Sequence, residues 1–381
     1  MAQRPRKIRR PRQRRSPLAL IRDDSQVPAL WLSAALFILF GKAWLASASG
    51  NTALTLFLFV WLFGAILWGA FGVVRHAEHL AAKLGEPYGT LILTLSVTVI
   101  EVAFIITAVF SGAPNSPVAR DAVFAVFMIM INGVVGLCLL LGGLRHHEQN
   151  YNLPGARAFL AVLVPLAVFA LVLPNFTQTP GPILSAGQAI SIGALTLALY
   201  GVFLSMQTAR YSGFFKDPDG DDKDAHDHVS ARSVGFHAGA LLVTLLPAVF
   251  LTEELGHIVE RAVSATGAPI ALVGVIVAVL VLAPESMGAL QAALRNKLQR
   301  SVNIALGSVL ATIGLTIPGV LLVGGLLGKP IVLGLGPREM LLLASTLLVA
   351  SLTFGGERTN MLQGVVHLVM FLVFVVLMFA P

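Results

Sequence analysis

The sequence predicts an all-α polytopic membrane protein: one leading transmembrane helix and then two inverted five-helix repeats, about eleven spans in all. Three observations predict it. The chain is 56% hydrophobic and 12% charged, with a mean hydropathy of +0.83, far from the balance of a soluble domain. Apolar runs of helix length recur along nearly all of it, leaving no room for a large soluble domain. Two of those runs carry a glutamate in corresponding places, Glu101 in GTLILTLSVTVIEVAFIITAVFSG and Glu285 in APIALVGVIVAVLVLAPESMGAL. A carboxylate near the bilayer centre costs about 2.5 to 3.5 kcal/mol on lenient insertion scales, so it is seldom kept without a cation, proton or partner.

The chain opens with a basic tail, residues 1–27, where the net charge of +7 is concentrated. Such a run before a first span marks the cytoplasmic side and suits contact with anionic lipids, so membrane lipids rather than nucleic acid are the expected partner. The leading helix is 28–48. A signal-peptide cleavage after Ala46-Ser47-Ala48 competes, but the length of the basic region and Lys42 favour an uncleaved helix. The first repeat, 51–210, holds apolar runs near 51–74, 89–112, 120–142, 157–174 and 184–206. An acidic cytoplasmic linker, 211–232, separates it from the second repeat, 233–381, with runs near 233–251, 268–292, 302–326, 338–353 and 361–379.

Charge sets the orientation. With the N-terminus inside, the inner loops hold Arg75, Lys83, Arg145, Arg157, Arg210, Lys216, Lys223, Arg232, Arg295, Lys297, Arg300 and Arg358, whereas the outer ends hold only Lys42, Arg120, Arg261, Lys329 and Arg338. This bias predicts a cytoplasmic N-terminus and an outside C-terminus. The linker stretch KDPDGDDKDAHDHVSAR carries Asp217, Asp219, Asp221, Asp222, Asp224 and Asp227 with His226 and His228, and two readings stand: a cation-collecting segment or a flexible acidic linker. No glutamate closes a twelve-residue loop there, so it is not an EF-hand.

The two repeats share a motif. Glu78 is followed after seven residues by Gly85 and then Pro87; Glu260 is followed after seven by Gly267 and then Pro269. A long apolar helix comes next, with Glu101 16 residues after Gly85 and Glu285 18 after Gly267. Five spans per copy force the second copy to enter the membrane upside down, the inverted design of many secondary transporters. Glu78 and Glu260 then lie near the cytoplasmic and outer ends of the first helices, as guides for ions, proton relays or plain exposed helix-end residues.

Thr94 and Thr98 lie seven and three residues before Glu101, on its helical face. Pro284 precedes Glu285 and predicts a local break whose freed carbonyls act as oxygen ligands. Downstream, Ser308, Thr312 and Thr316 share a face beside Gly307 and Gly314; the matching first-repeat helix offers Asn132, followed by Gly133 and Gly136. Asn132 reads either as an oxygen donor to a cation or as an interhelical hydrogen-bonding residue. The single cysteine, Cys138, excludes an intrachain disulfide and a cysteine metal cluster and reads as packing. HExxH and GxSxG are absent, so an intramembrane enzyme is disfavoured and no catalytic residue or cofactor is expected. A cation channel is disfavoured too, because rings of charge usually come from identical subunits.

LGEPYGTLILTLSVTVIEV, LLLGGLRHHEQNYN and LAPESMGALQAAL followed by LQRSVNIALGSVLATIGLTIP resemble the bacterial calcium(sodium, potassium)/proton antiporters of the calcium/cation antiporter superfamily. The resemblance covers the chain after its basic tail. It implies ten core helices in two inverted repeats, an inner-membrane location, and a central site with one acid from each repeat flanked by hydroxyl and amide groups. By motif these are Glu101, Glu285, Asn132, Ser308 and Thr312, to which Thr98 is added from its helical face. The chain departs from the superfamily's commoner Gly-Asn-x-x-Glu pattern, with Val97 and Val99 around Thr98 and Leu282, Ala283 and Pro284 before Glu285. Ca2+/H+ exchange is the leading expectation and Na+(K+)/H+ exchange the alternative.

Overall fold

The structure, a computed structural model, describes residues 24–48, 50–84, 88–111, 117–218 and 232–380. The basic tail to residue 23, Gly85 and Pro87 of the first motif, the Thr94 side chain and the linker residues 219–231, with Asp219, Asp221, Asp222, Asp224, Asp227, His226 and His228, lie outside the described residues.

The apolar runs become eleven helices among the described residues: α1 Gln26–Ala48, α2 Thr52–Leu84, α3 Tyr88–Ser111, α4 Val118–His146, α5 Leu153–Phe176, α6 Ala186–Arg210, α7 Val234–Thr266, α8 Ala271–Leu294, α9 Leu298–Leu326, α10 Pro337–Thr353 and α11 Met361–Phe379. Nine of them are long and apolar enough to cross a membrane. α2 and α7 run to 33 residues each, well past the apolar limits at 74 and 251. Hydropathy ends where polar residues start, but a helix continues until something breaks it. In α7 the breaker is Gly267, whose φ of +68° lets the chain turn away while its N–H caps the Val263 carbonyl.

Helices α2–α6 and α7–α11 are tied together by two short pairings on opposite faces. Strand β1, Glu148–Asn150, pairs antiparallel with β2, Arg358–Asn360, with Gln149 opposite Thr359. On the other face Ile183 bridges Val332. β1 follows the third helix of its set and β2 precedes the fifth of the other; Ile183 and Val332 stand in the reverse relation. Exchanging the two sets turns one pairing into the other, as inverted copies require.

α4 lies at the centre, 89% of its span buried, and α11 lies on its outside against it, only 17% buried. Small residues allow the close crossings: a Cβ on Gly136 of α4 would meet Leu368 Cγ of α11 at 2.9 Å, and one on Gly274 of α8 would meet the Ala122 nitrogen of α4 at 2.9 Å. α1 is held on α2 by Phe37, Trp44 and Trp61, whose rings pack 5.4 to 5.6 Å apart, and by Asp24, which pairs with Arg75 at 2.7 Å and with Arg232 at the start of α7.

The irregular backbone is not where Pro284 predicts it. α8 is helical from Ala271 through Leu294 with Pro284 inside it. Proline removes one ladder bond, to the Leu280 carbonyl, and flanking turns hold the rest. π-turns fall elsewhere: at Val168–Val172 in α5, at Met206–Arg210 closing α6, and at matching points of α4 and α9, Ile129–Val134 and Thr312–Thr316.

Candidate functional site

Glu101 sits near the middle of α3 and Glu285 near the middle of α8, two helices that run in opposite directions and both pack against α9. Their carboxylates line one cavity of about 420 Å³ and are close enough to interact electrostatically. Thr98, Ser308, Thr312 and Pro284 share its wall. The cavity extends to the basic face of the bundle, where Gln207, Lys216, Glu78 and Arg300 form its mouth.

One helix supplies hydroxyls to both acids. The Ser308 hydroxyl donates to Glu285 Oε2, while Thr312 and Thr316 donate to Glu101 Oε2 at 3.0 and 3.1 Å. Residues four apart lie on one face of a helix, so Thr312 and Thr316, the two ends of the π-turn, aim at the same oxygen. Close approach of α6 fixes that segment, since a Cβ on Gly314 would meet Tyr200 Cγ at 2.7 Å. Glu101 is 6% exposed, and its second oxygen, Oε1, is buried without a hydrogen-bond partner among the described residues. A buried carboxylate oxygen of this kind is satisfied by a proton, a cation or water.

The expected site residues divide. Glu101, Glu285, Thr98, Ser308 and Thr312 come together, and Glu78 lines the mouth of the same cavity. Asn132 does not line it. Its amide donates to Thr346 Oγ1 of α10 at 2.8 Å, and its Oδ1 lies 3.0 Å from His367 Nδ1 of α11, whose Nε2 lies 3.0 Å from Thr353 Oγ1. Asn132 is fully buried, and both ends of its amide are engaged by those helices. Glu260, half-buried at the far end of α7, does not line the cavity either. Thr316, which the motif carry-over omitted, also donates to Glu101; its spacing of four from Thr312 is the sequence signal for it.

Comparison with known proteins gives the family and the fold. The sodium/calcium exchanger protein family matches residues 54–209 and 236–380, one stretch over each set of five helices. The chain is 46% identical over 321 residues to y4hA of Sinorhizobium fredii, named an ionic transporter, covering 84% of this chain and 87% of that one. It is 40% identical over 319 residues to the sodium-potassium/proton antiporter ChaA of Escherichia coli, covering 83% and 87%. The solved structure of native YfkE superposes with a TM-score of 0.71 over 93% of this chain and all of that one, at 19% identity, which speaks for the fold. A chain with two oppositely directed, acid-bearing helices around one membrane cavity, matched along both sets of helices, belongs to the sodium/calcium exchanger protein family.

Proposed function

We propose that the protein is a secondary active cation/proton antiporter, exchanging Ca2+ for protons by alternating access. The observation that carries this reading is the single cavity lined by Glu101 and Glu285 with α9 hydroxyls on both. Calcium takes about six to eight oxygens at about 2.3 to 2.6 Å. The two carboxylates offer up to four, and Thr98, Ser308, Thr312, Thr316 and water complete a shell. Emptied of cations, two facing carboxylates in a poorly hydrated site repel each other and lose solvation, and proton binding relieves both. Protons and cation therefore compete for the same oxygens. Two protons or one divalent cation neutralise the pair equally, so either loaded form crosses while the empty, doubly charged form is held back.

Na+(K+)/H+ exchange is the second reading, favoured by the name of the Escherichia coli relative and by the engagement of Asn132 elsewhere, which leaves fewer oxygens for a divalent ion. One protonated glutamate beside one monovalent ion gives the same neutrality. In this reading helices α2–α6 and α7–α11 act as inverted repeats bounded at 51–210 and 233–381, preceded by the leading helix 28–48 and joined by the linker 211–232. The chain lies in the bacterial inner membrane, its N-terminus and the cavity mouth cytoplasmic, its C-terminus outside. Glu78 guides ions at that mouth. Protons flowing inward would drive cation extrusion.

Everted vesicles with a preset proton gradient test this directly, with Ca2+, Na+ and K+ added in turn. The expected result is gradient collapse by calcium, with sodium or potassium collapse deciding for the second reading. Indifference to all three, or normal exchange by both Glu101→Gln and Glu285→Gln, sinks it.

A further inference from the structure

On the basic face, the ends of α4 and α8 enclose a pocket that shares no residue with the exchange cavity. It is open, about 550 Å³ in volume, and lined by Arg145 and His146 from the last turn of α4 and by Gln291, Leu294 and the C-cap Arg295 of α8. That volume lies within the range of about 300 to 1,000 Å³ typical of small-ligand sites. Two contacts tie its walls together: His146 Nε2 lies 3.0 Å from the Leu294 carbonyl oxygen, and Gln149 Nε2 donates to the Ala293 carbonyl at 2.8 Å. An arginine at a helix C-terminus often caps such carbonyls itself. Here the ring and the amide take them, so the Arg295 guanidinium is released from its own helix end. Neither it nor the Arg145 guanidinium makes a hydrogen bond or ion pair with any described residue.

An apolar strip leads into this pocket along both helices. Leu144, beside Arg145, and Leu137, two turns before it, are exposed on α4, and Met287, one turn before Gln291, is exposed on α8. Side chains as apolar as lipid tails, left open on membrane helices, face the bilayer. The strip and the arginines together present the two-part chemistry of a phospholipid, acyl chain below and phosphate above. Guanidinium groups suit the phosphate because their planar fork pairs with two of its oxygens at once. A free phosphate ion would engage the arginines but leave the strip unused, which favours the lipid.

We propose that this pocket is a binding site for an anionic phospholipid, whose phosphodiester sits between Arg145 and Arg295 with Gln291 donating to it, and whose chains lie over Leu137, Leu144 and Met287. The lipid bridges the central helix α4 to α8, the helix that carries Glu285. The bilayer setting follows from the family; only the cytoplasmic placement of this face rests on the proposed orientation.

The test places the full chain in nanodiscs of equal parts phosphatidylcholine and phosphatidylglycerol and reads the lipid retained on the released protein by native mass spectrometry. The parent is expected to retain phosphatidylglycerol in preference to phosphatidylcholine. Arg145→Gln and Arg295→Gln are each expected to lower that retention about tenfold, since hydrogen bonds to a charged group are worth about 1.5 to 3 kcal/mol. Arg210→Gln removes one exposed arginine outside the pocket and is expected to change nothing. The melting temperature should also rise with phosphatidylglycerol content in the parent and rise less in the two pocket variants, because a ligand bound to the folded state stabilises it. Arg145→Lys, which keeps the charge but loses the fork, is expected to lower retention in the same direction and serves should the glutamine variants be poorly produced. Equal retention in parent and pocket variants, or an equal loss in Arg210→Gln, overturns the site. Displacement of the lipid by excess inorganic phosphate overturns it too, because it would assign the pocket to a soluble anion. None of these readouts involves exchange, so a protein that exchanges no cation in any form would strike the antiporter reading and leave the lipid site standing.

Discussion

α4 and α9 hold the same place in their respective sets, and each widens into a π-turn near its middle, yet they do different work. α9 turns Ser308, Thr312 and Thr316 toward the two glutamates. α4 turns Asn132 away from them, into a buried network with Thr346 and His367 on α10 and α11. The backbone irregularity is common to both, so it belongs to the scaffold; the side chains on it have diverged. Ion chemistry is therefore lopsided, with one acid from each set but nearly all the hydroxyls from the second.

The acids are the point of symmetry and their loss has the largest effect. Glu101→Gln and Glu285→Gln each keep the shape and a hydrogen-bonding amide but remove the charge that a cation or proton must neutralise. Each is expected to cut exchange in everted vesicles by about a hundredfold or more, since an intramembrane charge partner of this kind is worth several kcal/mol. A variant that keeps half its activity breaks the two-acid site.

The next largest effect separates α9 from α4. Thr312→Val with Thr316→Val removes both donors to Glu101 at nearly constant volume. Hydrogen bonds to a charged group are worth about 1.5 to 3 kcal/mol, so cation-dependent exchange should drop roughly tenfold or more with the protein still folded. Asn132→Leu is expected to do the reverse. It removes the donor to Thr346 Oγ1, which keeps its contact to Met128 Sδ, and strands His367 Nδ1 in a buried place; interhelical bonds in membranes average about 0.6 kcal/mol with a maximum near 1.7, so thermal stability in detergent falls measurably. Exchange normalised to folded protein stays within about twofold, because the residue touches no part of the cavity. A rate loss without a stability loss would return Asn132 to the ion site.

The sequence makes the helices and the two acids legible because both are local signals: apolar length, and a charge where charge is expensive. The partner of Asn132 is not local. Thr346 and His367 lie more than 200 residues away, and only packing α10 and α11 against α4 brings them within 3.0 Å. The C-terminal ends of α2 and α7 escape a hydropathy reading because RHAEHLAAKL and EELGHIVERAV are polar yet helical, and His76, in the first of them, meets His237 at the start of α7. Pro284 misled because it is a strong local breaker held inside a packed helix, whereas the π-turns that do widen the backbone depend on neighbours such as Tyr200 against Gly314 and carry no local mark.

The smallest expected effect lies at the mouth, where the two sets differ again. Glu78 lines the cavity with Lys216 and Arg300, while its counterpart Glu260, at the far end of α7, does not line it. A carboxylate among cations at a wide mouth acts on the local cation concentration and not on the bound state, so its contribution is a screened surface charge. Glu78→Gln is then expected to raise the cation concentration needed for half-maximal exchange about two- to fivefold at low ionic strength, with little change in maximal rate, and the difference should shrink as salt shortens the Debye length to about 8 Å. Glu260→Gln in the same assay should leave the cytoplasmic-side affinity untouched. An effect of Glu78→Gln that persists at high salt, or that lowers the maximal rate, would place the carboxylate on the proton's route and not merely at the mouth, and equal effects from Glu260→Gln would restore the symmetry that the cavity lacks.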